Sequence, residues 1–69
     1  MKISARNILK GKVVKVTRGS VNAEVVLELP GGAQIVSVIT LSSVDSLGIK
    51  VGKEAYAVVK ASNVMIAVD

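Results

Sequence analysis

The chain has 69 residues, 51% of them hydrophobic, with nine Lys and Arg against five Asp and Glu and a formal net charge of +4. This length allows one domain, residues 1–69, and the charge favours an anionic partner in general. Because cysteine and histidine are absent, the sequence excludes disulfides, thiolate or imidazole metal sites and histidine-based catalysis.

The first predicted strand covers residues 8–18 and changes face part-way along. Leu9 and Val13 share one face, whereas Val14 and Val16 continue on the other. A slip of one residue near a glycine indicates a β-bulge, which bends a strand strongly. Bent first strands are typical of small closed barrels.

The next two predicted strands, residues 21–29 and 33–40, form a hairpin. Gly19 is expected to supply the unusual dihedral of the tight turn before it, and Pro30-Gly31-Gly32 closes it. The first of these strands alternates apolar and polar residues, as a half-buried strand does. The second is apolar on both faces, so its outer face needs cover from another subunit.

A helix of one to two turns is predicted after this hairpin. Ser42 is the expected N-cap, Asp45 occupies a position like that of a capping box, and Gly48 ends the helix. Val44 and Leu47 lie three residues apart and are expected to face inward.

Two more strands are predicted, at residues 54–60 and 64–68, after a turn at residues 50–53. Both are apolar on both faces. Three strands, a short helix and two strands predict an all-β fold, a five-stranded OB-like barrel with one short helix between strands 3 and 4. A domain this small is marginally stable alone, so the apolar faces predict a homo-oligomer.

Two short segments rich in hydrogen-bond donors interrupt the apolar strands, Ser4-Ala5-Arg6-Asn7 and Lys60-Ala61-Ser62. They contain cations, hydroxyls and an amide but no carboxylate, which suits an anion better than a cation or a covalent mechanism. If they are buried together, a bound dianion would supply acceptors for all of them; if they face open water, they are ordinary loop residues. Ser20 and Val21 form a third candidate, a backbone N–H nest, with an ordinary hairpin turn as the alternative.

Two other functions stay open from the residues alone. Lys10, Lys12, Lys15 and Arg18 along the first strand allow a small OB-fold nucleic-acid-binding protein, although Tyr56 is the only aromatic residue on which a base could stack. A purely structural oligomerisation module without a ligand is the other alternative. The acidic residues are scattered, so the protein is not expected to be an enzyme.

Five short motifs carry a family resemblance. Ser4-Ala5-Arg6-Asn7 precedes Leu9-Lys10-Gly11, Ala23-Glu24-Val25 lies in the second strand, and Lys60-Ala61-Ser62 is followed by Val64-Met65. With these motifs, the sequence resembles the molbindins, the small Mop-type molybdate-binding proteins, over nearly its whole length.

The resemblance implies an OB-like barrel that assembles as a homohexamer, a trimer of dimers, with oxyanion sites between subunits. It implies molybdate or tungstate as the bound ligand, and a role in storage, buffering or homeostasis of these ions. The binding residues that it implies are Ser4, Ala5, Arg6, Lys60 and Ser62, with Asn7, Ser20, Val21 and Ala61 in second rank.

The sequence also predicts where the protein acts. It has no apolar run of about 18 residues and no signal-peptide pattern. We therefore expect a cytoplasmic protein without a membrane partner, and nucleic acid is not an expected partner.

Overall fold

A computed structural model describes all residues, 1–69. The elements, in chain order, are β1 (Asn7–Arg18), β2 (Asn22–Glu28), β3 (Gln34–Thr40), α1 (Leu41–Leu47), β4 (Glu54–Val59) and a 3₁₀ turn (Ala61–Asn63). The strands form one antiparallel sheet in the order β3-β2-β1-β4, so the predicted all-β class with a single short α-helix is confirmed. No helix in the chain has the length and apolar character of a membrane span.

Strand β1 lies at the centre of the fold because it pairs with two partners in succession. Its first half pairs with β4 and its second half with β2, and Lys12 has a partner on each side, Glu54 and Glu28. The register with β2 shifts between Val13 and Lys15, which leaves one extra residue on β1. This shift confirms the predicted β-bulge, and it lets the sheet curl.

The core lies on the concave face of the curled sheet. Its buried centre is Val13, Val25 and Leu27, with half-buried neighbours Val16, Ile39, Ile49, Ala55 and Ala57. Only seven of the 69 residues are buried, so one chain covers little of its own apolar surface. Val36 and Val38 on the second face of β3 are exposed, as its doubly apolar pattern predicts for a chain without a partner.

Helix α1 begins earlier than predicted, because Thr40 and not Ser42 is its N-cap. The Thr40 Oγ1 accepts a hydrogen bond from the backbone N–H of Ser43 at 3.0 Å. Asp45 does not complete a capping box; its Oδ1 lies 3.3 Å from Nη2 of Arg18. The carboxylate therefore links the helix to the end of β1.

The end of α1 agrees with the sequence only in part. Gly48 stops the helix with a φ of 63°, and Val44 is buried, both as predicted. The inward orientation expected for Leu47 is wrong, since this side chain is 59% exposed and borders an apolar groove that is open in the single chain. Gly19 has no positive φ; instead, a Cβ there would lie 3.0 Å from the backbone oxygen of Asn22.

The fifth strand predicted at residues 64–68 is absent from the chain, so the barrel is a four-stranded half-barrel. Residues 64–69 have no regular structure, and Met65, Ile66 and Val68 are 93%, 86% and 91% exposed. Their apolar pattern favours a strand, but a strand also needs an edge with which to pair. Neither edge strand of the sheet, β3 or β4, pairs with this segment.

The position of the helix cap can be tested by two matched substitutions. Thr40→Ala removes the acceptor of the Ser43 N–H and should lower the free energy of unfolding by about 1 kcal/mol. Ser42→Ala should leave it unchanged, since the Ser42 side chain makes no hydrogen bond and is exposed. Urea unfolding followed by circular dichroism measures both, and a larger loss for Ser42→Ala would place the cap where the sequence predicts it.

Gly11 provides a second test, of the close approach between β1 and β2. A Cβ at this position would lie 2.8 Å from the backbone oxygen of Glu28. Gly11→Ala should therefore lower the free energy of unfolding by about 1–3 kcal/mol, because the backbone of β2 has to move. In open space the same change stabilises a protein by about 0.4–1 kcal/mol, so a raised urea midpoint would contradict the contact.

Candidate functional site

The two donor-rich segments meet at one end of the sheet. Asn7, the first residue of β1, pairs with Val59, the last residue of β4. The residues before β1 and after β4 therefore leave the sheet side by side. They form an open pocket, the β1–β4 pocket, lined by Ile3, Ser4, Ala5, Arg6, Lys60, Ala61 and Ser62.

The second segment of the pocket is shaped by the 3₁₀ turn. Lys60 is its N-cap residue, and the turn is closed by hydrogen bonds from Asn63 N to Lys60 O at 2.9 Å and from Val64 N to Ala61 O at 3.2 Å. The first N–H groups of such a turn, those of Ala61 and Ser62, have no acceptor inside it. Backbone donors therefore accompany the Lys60 and Ser62 side chains at this side of the pocket.

The electrostatics of the β1–β4 pocket are those of an anion site. Arg6 and Lys60 line it, and neither takes part in an ion pair. No acidic residue lines it, and none precedes Glu24 in the sequence. The chain has no group of three or more His, Cys, Asp or Glu that could hold a metal cation. Two cations and no carboxylate match the charge of a dianion.

The cations along β1 are arranged differently, because carboxylates form ion pairs with two of the four, Lys10 and Arg18. Lys10 Nζ lies 2.9 Å from Glu54 Oε2. This hydrogen bond, reinforced by the opposite charge, raises the pKa of Lys10 and lowers the pKa of Glu54. The pair is therefore intact between the acidic range in which Glu54 protonates and the alkaline range in which Lys10 deprotonates. Lys12 pairs in register with Glu28 and Glu54, so this face of β1 is mixed in charge.

The remaining predicted site residues lie outside the lining of the β1–β4 pocket. The Asn7 Nδ2 donates a hydrogen bond to Val59 O at 3.2 Å. Ser20 and Val21 follow the opposite end of the 12-residue strand β1, and the single chain does not bring them to the pocket. Ile3 lines the pocket and was missed by sequence reasoning, because a search for donors passes over an apolar side chain.

A second concavity, the apolar groove, lies on the inner face of the sheet. Its lining comes from β2, β3, β4 and the end of α1 and includes Leu27, Ile35, Ile39 and Tyr56, with Ser37 as its only polar residue. It contains no charged group, so it has no cation that could bind an anion. This groove is a surface for apolar contact.

Comparison with known proteins adds relatives of the whole chain. The family model for the TOBE domain matches residues 3–66. A probable molybdenum-pterin-binding protein from Haemophilus influenzae is 54% identical over 69 residues, with all of both chains covered. The structure of MopII from Clostridium pasteurianum has a TM-score of 0.92 at 58% identity, over 97% of this chain and 100% of that one. ModG, a cytoplasmic molybdate-binding protein solved with molybdate bound, has a TM-score of 0.92 at 52% identity, over 94% of this chain and 46% of its own.

These matches cover nearly the whole chain and include both segments of the β1–β4 pocket. The sequence identities of 54%, 58% and 52% are high enough to show a common family and not only a common fold. The chain therefore belongs to the TOBE-domain family, as a single-domain Mop protein.

Proposed function

We propose that this protein binds molybdate or tungstate in the β1–β4 pocket, with Ser4, Ala5, Arg6, Lys60 and Ser62 as its principal contacts. The observation that carries the proposal is the meeting of two unpaired cations, Arg6 and Lys60, with two hydroxyl residues in a pocket free of carboxylates. The molybdate bound to the related ModG supports the choice of ion.

The chemistry of the ion fits this set of donors. Molybdate is a tetrahedral dianion that offers four acceptor oxygens and no proton near neutral pH. Arg6 and Lys60 would offset its charge, while the Ser4 and Ser62 hydroxyls and backbone N–H groups would fix its orientation. Bonds to charged groups contribute roughly 1.5–3 kcal/mol each. Several of them, less the cost of binding, suit micromolar or tighter affinity.

A bare oxyanion fits the pocket better than a pterin does. The Haemophilus relative is named for molybdenum-pterin, and a flat pterin ring calls for an aromatic or broad apolar contact. The only aromatic residue, Tyr56, lines the apolar groove and not the β1–β4 pocket. The β1–β4 pocket offers the hydroxyls of Ser4 and Ser62 and the cations of Arg6 and Lys60, but no ring on which a pterin could stack.

Nucleic acid is the weaker alternative for the basic residues. Lys10 and Arg18 on β1 are each paired with a carboxylate, which reduces the positive field along this strand. Binding of single strands usually adds exposed aromatic side chains on which bases stack. One tyrosine in an apolar groove does not form such a platform.

The cellular role that we propose is storage, buffering or homeostasis of the ion in the cytoplasm, without catalysis. The related ModG is described as cytoplasmic. The pocket contains no His, Cys, Asp or Glu, so it has cations and hydroxyls to hold an oxyanion but no general base to activate a nucleophile.

We further propose that the working form is a homohexamer, a trimer of dimers, with the oxyanion sites between subunits. The number six and this symmetry come from the resemblance to the molbindins. Support comes from the apolar surface that one chain leaves open, namely the apolar groove and the outer faces of β3 and β4. Ser20 and Val21, distant from the pocket of their own chain, stay candidate contacts to an oxyanion held by neighbouring chains.

Residues 64–68 are the segment that we propose as the fifth strand of the barrel, contributed to a second copy. Met65, Ile66 and Val68 are almost fully exposed, and β3 and β4 leave two free edges beside the apolar groove. Insertion of this segment at a partner's edge would pair both sets of backbone groups and bury both apolar surfaces.

The site assignment can be tested by removing each cation. Arg6→Ala and Lys60→Ala should each weaken molybdate binding by about ten- to a hundredfold, because each removes a charge-assisted bond. Lys50→Ala is the matched control, since it removes the same charge from a turn outside the pocket. Equilibrium dialysis with molybdate, with sulfate and with a short oligonucleotide measures all three proteins.

Three results would contradict the proposed site or function. An equal loss of affinity in Lys50→Ala would mean that net charge and not the pocket attracts the ion. Uptake of the oligonucleotide without molybdate would favour the nucleic-acid alternative. Binding of neither ligand by an intact assembly would favour the purely structural module.

The assembly can be tested by the native mass. We expect six times the chain mass for the unchanged protein, and a smaller species for the double variant Ile66→Asp, Val68→Asp, because two carboxylates cannot be buried in an apolar groove. A chain lacking only Asp69 is the control and should keep the full mass. Light scattering after size-exclusion chromatography measures both, and a monomeric unchanged protein at micromolar concentration would contradict the proposal.

A further inference from the structure

Asn7 makes a contact that no other residue at this end of the sheet makes. It is half-buried at the start of β1, and its Nδ2 donates to the backbone oxygen of Val59, the last residue of β4, at 3.2 Å. No other side-chain hydrogen bond or ion pair joins residues 1–9 to residues 55–69.

This hydrogen bond joins β1 and β4 at the point where the two segments of the β1–β4 pocket leave the sheet. Arg6 directly precedes Asn7, and Lys60 directly follows Val59. Beyond these residues the two segments make no hydrogen bond with each other, because the hydrogen bonds of the 3₁₀ turn stay within residues 60–64. The spacing between the two cations is therefore set where the β1–β4 ladder ends, at the Asn7–Val59 pair, to which the Asn7 side chain adds its hydrogen bond.

We infer that Asn7 is a positioning residue for the oxyanion, which holds the two halves of the pocket at a fixed separation without contacting the ion. The inference rests on the proposed function. Asn7 is absent from the lining of the pocket, and one of the two N–H groups of its carboxamide is engaged with Val59. The resemblance to the molbindins implies that Asn7 is a second-rank contact to the anion, whereas the geometry assigns it a different task.

The consequence of losing this contact is a change in selectivity as well as in affinity. Sulfate has the charge and shape of molybdate but is smaller, so rigidly spaced donors cannot all reach its oxygens. If the Arg6 and Lys60 segments can move relative to each other, the donors also adapt to the smaller ion. Loss of positioning therefore weakens molybdate binding more than sulfate binding.

The test replaces Asn7 with leucine, which has a similar shape and no donor. Asn7→Leu should raise the Kd for molybdate about three- to tenfold, the range of a neutral hydrogen bond, and lower the ratio of molybdate to sulfate affinity. In the unliganded protein, the amide NMR shifts of Ala61, Ser62 and Asn63 should move. Gln34→Leu is the matched control, because Gln34 also begins a strand and its exposed carboxamide makes no hydrogen bond; it should change none of these values.

Each other outcome has a defined meaning. An unchanged Kd and ratio would overturn the inference, and so would a raised Kd with unmoved amide shifts, which would indicate a direct contact with the ion. A loss of folding stability alone, at constant Kd, would assign Asn7 a purely structural role and would also overturn it. If Asn7→Leu does not fold, Asn7→Ala is assessed by the same criteria. If the unchanged protein does not bind molybdate, the proposed function fails, while the amide shifts still test whether Asn7 fixes the turn.

Discussion

The double pairing of β1 is the constraint on which the rest of the structure depends. The first half of β1 pairs with β4 and its second half with β2, and Lys12 pairs with both. The adjacent residue, Gly11, lies close to the backbone of Glu28. The extra residue of the bulge bends β1 just beyond this point. The bend forms the concave core, and the pairing of Asn7 with Val59 brings the two ends of the sequence together. Fold and pocket therefore arise from the same strand.

The distribution of charge follows from this arrangement. Where β1 runs between β2 and β4, those strands bring carboxylates near two of its lysines. Glu54 forms an ion pair with Lys10, and both Glu28 and Glu54 lie opposite Lys12 in register. Beyond the end of the sheet no neighbouring strand supplies an acid, and Arg6 and Lys60 stay unpaired. A dianion between them would meet little competition from protein carboxylates. The net charge of +4 does not by itself locate a binding site for an anion. The two unpaired cations, Arg6 and Lys60, do.

The features that the sequence predicts correctly are mostly local ones. The bulge and the Pro30-Gly31-Gly32 hairpin depend on residues close in sequence, and both are confirmed. The cap was misplaced because Thr40 and Ser42 both carry a hydroxyl, and the choice depends on where β3 ends. The strand at residues 64–68 was wrong for a single chain, because an apolar pattern does not specify which edge it pairs with. That Ser4-Ala5-Arg6 and Lys60-Ala61-Ser62 lie together was expected only from the family resemblance, because they are far apart in sequence. The role of Asn7 depends on its tertiary contact with Val59, which the sequence does not reveal.

The incomplete core and the open pocket are two consequences of one fact, that a 69-residue half-barrel has too little chain to enclose either. If neighbouring copies cover the groove and complete the pocket together, binding and assembly are linked. An ion that binds only between subunits then stabilises the assembly by a free energy that grows with the logarithm of its concentration relative to its Kd. By the same linkage, any contact that holds the subunits together raises the affinity for the ion. Substitutions in the apolar groove should therefore change oxyanion affinity without touching the pocket, which a site contained within one chain would not allow.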